Sequence, residues 1–369
     1  MVDVPGWPLV IRESVPLAPM TTLELGGPAR FFVEVADDGA VLAAVAWSRE
    51  KGLPLIVLGG CSNVVIADEG FDGVVLRMGT RGVQFHDDGD VVAAAGEPWD
   101  AFVDATVARG MAGLECLAGI PGLVGATPIQ NVGAYGQEVA DTIRAVRALD
   151  RASGQVVTLS REACAFGYRD SLFRRSPNAY VILAVTFALG RGATSATGYR
   201  ELEEALAGRA TTPTLPEVAA TVRALRRKKS MVIDPADPNR RSVGSFFTNP
   251  ILDPVGFAAL VGRAIAAGAV RAEADVPRFA AGDGCVKVPA AWLIERAGFP
   301  KGLRRGAVGI SSAHALALVH HGGGTTAELL ALAAAIRDGV QDRFAVRLVP
   351  EPIIVGTPAE TPTGLLRCT

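Results

Sequence analysis

Lysine is nearly missing from this chain. Of its 36 Lys and Arg residues only Lys51, Lys228, Lys229, Lys287 and Lys301 are lysines, and 38 Asp and Glu bring the formal charge to −2. There is no broad basic field, so nucleic acid is not an expected partner. Histidine is scarcer still, limited to His86, His314, His320 and His321. The adjacent pair lacks the spacing of a metal-binding helix and reads as a lightly packed or solvated turn, so no metal is expected. The five cysteines are scattered, odd in number and without a CxxC pair. That argues against a disulfide framework or a zinc site and fits a reducing cytoplasm. No basic stretch followed by an apolar one stands at the start, so no signal peptide is expected. The longest uncharged run of interest, 116–137, holds Pro121, Pro128 and five glycines, which rules it out as a membrane helix.

What the chain does have is glycine. It carries 42 in 369 residues, and 19 of them fall between Gly26 and Gly136. They show no Gly-X-Y period and sit among valine, isoleucine and leucine, so neither collagen nor a flexible linker is implied. Glycine in an ordered apolar setting points to unusual backbone angles or to close approach by another group.

The hydrophobic pattern predicts helices over 37–51, 98–110, 201–208, 217–229, 255–268 and 290–298. A further helix runs from the capping box Thr325-x-x-Glu328 through Gly339, with Leu329, Leu332, Ala333, Ile336 and Val340 on one face. Strands are predicted over 54–58, 64–67, 73–77, 91–95, 146–150, 155–159, 180–189 and 344–349, with a hairpin turn at 151–154. The Pro- and Asp-rich segment 230–241 reads as a linker. The glycine loop after residue 58 joins strand to strand. A Rossmann site would need it to join strand to helix, so any phosphate cradle here would be a nest of loop amides.

Five stretches could carry chemistry. Gly59-Gly60-Cys61-Ser62-Asn63 offers amides and short polar side chains suited to a pyrophosphate, or is an ordinary tight turn. The segment Gly119-Ile120-Pro121-Gly122, Gly125-Ala126-Thr127, Gln130-Asn131-Val132-Gly133-Ala134-Tyr135-Gly136 is long and uncharged. It suits backbone wrapped around a large flat ligand, with Asn131 and Tyr135 as polar handles; a buried core connection would leave many amides unpaired. In Tyr168-Arg169-Asp170-Ser171 the guanidinium could hold a carboxylate bidentately, or form a surface ion pair. Ser245, between Gly244 and Phe246-Phe247, lacks a His-Asp pair and is a poor hydrolytic nucleophile, but could donate a proton to a carbanion; alternatively it merely starts a strand. Glu351 stands between Pro350 and Pro352, which restrict where its carboxylate points.

Together these motifs resemble those of the UDP-N-acetylenolpyruvoylglucosamine reductases, the flavin enzymes of peptidoglycan precursor synthesis. The resemblance runs from about Thr21 to Gly356. It rests on Thr22-x-x-x-Gly26-Gly27-Pro28-Ala29, Gly60-x-Ser62-Asn63, Gly119-Ile-Pro-Gly122, Gln130-Asn-x-Gly-Ala-Tyr-Gly136, Tyr168-Arg-Asp-Ser171, Gly244-Ser-Phe-Phe247 and Pro350-Glu-Pro352. Tyr168-Arg-Asp-Ser and Tyr199-x-x-Leu202 resemble the longer subtype, which closes a tyrosine-bearing loop over its substrate. The resemblance implies an α+β protein. A two-lobed FAD-binding module of the vanillyl-alcohol-oxidase type would occupy 1–77 and 78–229, with 352–369 returning to the first lobe. A substrate-binding α+β domain would occupy 230–351.

It further implies that NADPH reduces FAD and that a hydride then reaches C3 of the enolpyruvyl group of UDP-N-acetylglucosamine enolpyruvate. Arg169 and Glu351 would serve the substrate carboxylate and Ser245 would protonate C2. The 59–63 and 119–136 residues above, with Arg226, would hold the cofactor. Tyr168, Tyr199, Lys229, Asn249, Lys301 and His314 would hold the substrate. A cytoplasmic monomer without membrane or nucleic-acid partners is expected. The departures from the family pattern are Cys61 where glycine is usual, Ser312-Ala313 before His314, Ala291-Trp292, and His320-His321-Gly322. Another oxidase on the same flavin fold, or a binding protein that has lost turnover, are the competing readings.

Overall fold

Alternating apolar strands and capped helices build two compact units, and the computed structural model describes residues 2–3, 7–192, 198–208 and 211–356. The first unit comprises 1–16, 28–61 and 71–233; the second comprises 17–27, 62–70 and 234–369. The chain thus passes between them within the Gly59–Asn63 motif and again inside the 230–241 segment. The segments 17–27 and 62–70 group with the C-terminal third.

The first unit holds two five-stranded sheets. One has the order Val2–Asp3, Val10–Pro16, Pro28–Val35, Phe71–Met78, Leu55–Leu58. Its last two pairings are parallel and its others antiparallel. The parallel crossover uses the helix Asp38–Glu50, whose N-cap Asp37 accepts from the Ala40 amide at 2.8 Å. The other sheet is wholly antiparallel, in the order Val156–Ser160, Ile143–Asp150, Tyr180–Ala188, Asp90–Ala94, Val83–Phe85. The helix Trp99–Val107 packs in the same core: Trp99 is fully buried against Phe102 and Phe187, and its indole N–H donates to the Leu117 carbonyl at 3.1 Å.

In the second unit the strands Ser242–Ser245, Ala317–His320, Val308–Ile310 and Arg304–Arg305 form an antiparallel sheet. The helix Thr326–Phe344 opens on the reciprocal Thr325–Glu328 capping box and buries Leu329, Leu332, Ala333, Ile336 and Val340. Ile353–Val355 runs parallel to Val64–Ile66; residues 357–369 of the returning segment lie outside the described residues.

Three sequence expectations need correction. The last helix does not stop at Gly339 but continues to Phe344, and Ala345 caps it with φ +56°. Gly339 lies under the Phe299 ring, where a Cβ would come within 2.6 Å of Cε2, so its glycine serves packing. Residues 346–349 therefore form no strand, although burial alternates along them. His320 is not in a solvated turn. It is buried in a strand, with Nδ1 3.0 Å from the Leu23 carbonyl and Nε2 accepting from the Gly324 amide at 3.0 Å. Both bonds are satisfied with the ring proton on Nδ1.

Candidate active site

The two glycine loops of the first unit lie backbone against backbone. A Cβ on Gly60 would come 2.9 Å from the Gly122 Cα, and one on Gly59 would come 3.2 Å from Leu123. Gly125 is pressed against Ala95, where a Cβ would have 2.5 Å. Gly119, at φ +74°, donates its N–H to the Asp100 carboxylate at 2.6 Å. Asp100 in turn accepts from Arg223, which also reaches Asp104. Gly59, Gly60 and Gly122 are the glycines that let these two loops meet. Residues 120–123 and 132–134 remain partly exposed.

Ten described non-glycine residues have φ in the left-handed region, and four of them are Cys61, Asn131, Tyr135 and Arg169. Such strain persists only where the surroundings over-determine it, and it gathers at functional sites. Asn131 shows how. Its side chain is wholly committed to protein: the amide donates to Glu138 at 2.7 Å and to the Gly167 carbonyl at 2.9 Å, and its oxygen accepts from Ala140 at 3.0 Å. Thus anchored, the backbone carbonyls of Asn131 and Gly133 grip the Arg169 guanidinium at 3.3 and 2.6 Å. The Tyr168 ring centroid is 5.6 Å from that guanidinium. Arg169 is thereby built onto the 119–136 loop.

A second cluster in this unit surrounds Tyr135. Its ring meets Tyr199 edge-on at 5.1 Å, and the Lys229 ammonium lies 5.6 Å from its centroid. Burial, reinforced by the Glu201 carboxylate, pushes the Tyr135 phenol up to about 12. Arg226 donates through Nη2 to the Met231 carbonyl at 2.7 Å, while its Nε is buried with no hydrogen-bond partner. Burial lowers this guanidinium to about 10. An unsatisfied buried donor on a cation costs roughly 1–3 kcal/mol or more and is an invitation to an anion.

Cys61 takes φ +51°, and its buried thiol is pushed up to about 11. Cys116 and Cys164 are also buried, with thiols raised to about 12 and about 11, whereas Cys285 is partly exposed. A thiolate is the reacting species. Treating native protein with a thiol reagent at pH 8, followed by peptide mapping, should therefore modify Cys285 and spare Cys61, Cys116 and Cys164. Rapid labelling of Cys61 would contradict this placement.

In the second unit Ser245 ends the strand Ser242–Ser245, where the register shifts against Ala317–His320 and Gly244 takes φ +71°. Phe246 and Phe247 behind it are both buried. The Glu351 amide donates to the Phe246 carbonyl at 2.9 Å, and Pro350 pairs with Phe247. Asn63 clasps the same segment, donating to the Glu351 carbonyl at 3.5 Å and accepting from the Ile353 amide at 3.0 Å. Ser245, Glu351 and Asn63 are thus gathered in one place. Ser62 also belongs to this unit.

Asn249 has structural work: its side-chain oxygen accepts from the Ala290 amide at 2.9 Å and caps the helix Ala290–Arg296, whose N-cap Pro289 makes no side-chain bond. Lys301 is exposed beside Gly302, which bonds Ser311, and His314 accepts from the Leu316 amide through Nδ1 at 3.0 Å. The residues that sequence reasoning missed are Asp100, Arg223, Glu138 and Glu201, which support the others.

Residues 235–355 match the family model described as UDP-N-acetylenolpyruvoylglucosamine reductase, C-terminal domain, and residues 29–160 match an FAD binding domain. A curated UDP-N-acetylenolpyruvoylglucosamine reductase of Streptomyces coelicolor is 49% identical, covering 95% of this chain and 91% of its own. The chain belongs to the UDP-N-acetylenolpyruvoylglucosamine reductase family. Its Thermobifida fusca relative of that name is 48% identical over 93% of this chain and 98% of its own. The reductase crystal structure from Thermus caldophilus shares the fold, with a TM-score of 0.64 at 24% identity, covering 95% of this chain and 100% of that one. The α+β class and the division into an FAD-binding domain and a reductase C-terminal domain follow. The residues present in this reductase suit FAD: loop amides around Gly60 and Gly122 with the unpartnered Arg226 Nε match a diphosphate. Among the described residues no helix is long and apolar enough to cross a membrane.

Proposed function

We propose that this protein reduces UDP-N-acetylglucosamine enolpyruvate to UDP-N-acetylmuramate, with NADPH as electron donor and FAD as cofactor. The observation that carries this reading is the near-half identity along 95% of the chain to relatives of that printed name. Added to it, Arg169, Ser245 and Glu351 are all present. FAD, when bound, supplies to C3 of the alkene a hydride that originates on NADPH. The 59–63 and 119–136 loops with Arg226 would hold the cofactor.

Hydride addition to an alkene conjugated with a carboxylate leaves negative charge spread over C2 and that carboxylate. Arg169 stabilises the charge as it grows; a fixed cation is worth most there because its position is set beforehand. The carbanion is basic enough to take the proton of the Ser245 hydroxyl at C2. Glu351 acts at the same carboxylate end. Lys229, Tyr168, Tyr199, Asn249, Lys301 and His314 serve the rest of the substrate, with Tyr199 as the loop tyrosine of the longer subtype. We read the protein as a cytoplasmic monomer whose functional parts are 1–77 and 78–229 for the cofactor and 230–351 for the substrate.

The test is anaerobic. NADPH should bleach the flavin absorbance of the holoenzyme, and the enolpyruvyl substrate should restore it. Bleaching without restoration would exclude this reaction and favour a different oxidase of the same fold or a binding protein.

A further inference from the structure

The helix Arg200–Leu206 is docked in the first unit by three contacts. Leu202 is buried with Cys116, Tyr135, Val218, Val222 and Leu225. Tyr199, the residue before the helix, rests on Tyr135. Glu201 reaches across to the Lys229 ammonium at the end of the helix Leu215–Lys228 and forms an ion pair with it. The pair is half-buried, with side-chain exposures of 37% and 29%. The cations Lys229 and Arg226 stand by Tyr135, and Arg226 in turn feels Arg169. The Glu201 charge is felt by Tyr135 and also by Tyr199, which burial and this carboxylate both raise. An internal carboxylate therefore occupies the cation assigned above to the substrate.

We infer that Glu201 is a built-in competitor for the nucleoside diphosphate: it holds Lys229 and has to release it before diphosphate oxygens can take the ammonium. This rests on the reading of Lys229 as a substrate cation. Apparent affinity falls by the fraction of molecules in which the cation is available. Ion pairs at this level of exposure shift such an equilibrium by a few-fold. Glu201 is then a residue that weakens ligand binding, the opposite of what a merely structural residue does.

The probe is UDP, titrated into FAD-loaded protein and followed calorimetrically. Glu201→Gln, which keeps size and loses charge, should tighten UDP roughly 3–5-fold. Lys229→Met should weaken UDP, and in the double variant the gain from Glu201→Gln should vanish. Unchanged or weaker binding by Glu201→Gln, while Lys229→Met weakens it, would overturn the competitor role and leave the Lys229 reading standing. Wild-type UDP affinity in Lys229→Met would overturn the Lys229 reading itself. A gain that persists in the double variant would also overturn the inference. Glu201→Asp, whose carboxylate is set back by one methylene, supplies the same test should the glutamine variant misfold, and should tighten UDP in the same direction by a smaller factor.

Discussion

Ser245→Ala should leave the bleaching of flavin by NADPH nearly intact and slow the return of colour on adding the enolpyruvyl substrate by about 10²–10⁴-fold, the usual share of a positioned proton donor. The split is expected because the hydroxyl is needed only once charge has reached C2. The local structure makes the substitution clean. Phe246 and Phe247 anchor the strand end in the core, Gly244 alone supplies the left-handed turn, and Ser245 is only half-buried. Alanine keeps the Cβ and the strand angles, so the change in stability should stay within about 0.5 kcal/mol. Stopped-flow traces of the two half-reactions give the answer. Equal slowing of both would remove Ser245 from the proton-transfer role and make it a structural residue of that strand.

The parts of the fold that could be read from sequence are those where local chemistry decides. The Thr325–Glu328 box and the five-residue apolar face of its helix needed nothing from elsewhere, and the Asp150–Gln155 hairpin turns at Gly154, which takes φ +73°. The parts that stayed hidden depend on partners. Val10–Pro16 buries little besides Ile11, so no alternation marks it, and it is a strand because Pro28–Val35 pairs with it. Gly339 looks like a helix stop until Phe299 is seen lying on it.

The candidate site divides the same way. Its motif residues stand out as glycines, or as polar groups in uncharged surroundings. Asp100, Arg223, Glu138 and Glu201 look like any solvated helix or turn residue; only their bonds to Gly119, Asn131 and Lys229 reveal their work. Asn131 was legible as a site residue, but its side chain serves the loop that carries Arg169.

That loop makes Arg169→Lys the more demanding test. Lysine keeps the charge, and since it is also an L residue the cost of φ +54° at this position is the same before and after. What it loses is the fork. The two carbonyls of Asn131 and Gly133 are satisfied by different nitrogens of one planar group, and a single ammonium nitrogen on a shorter span does not reproduce that spacing while facing a carboxylate. The second half-reaction should therefore fall by roughly 10²–10³-fold, as when a preorganised donor to a developing anion is removed, while bleaching by NADPH persists. Asn131→Asp separates this from damage to the loop. It turns an amide donor into an acceptor facing Glu138 at 2.7 Å and the Gly167 carbonyl at 2.9 Å, so it should weaken FAD retention as well as the second half-reaction. If Arg169→Lys also sheds flavin on gel filtration, its guanidinium is holding the loop together and the charge-stabilising role fails. If it keeps flavin and loses only the second half-reaction, the loop is a rigid bracket whose carbonyls aim one cation.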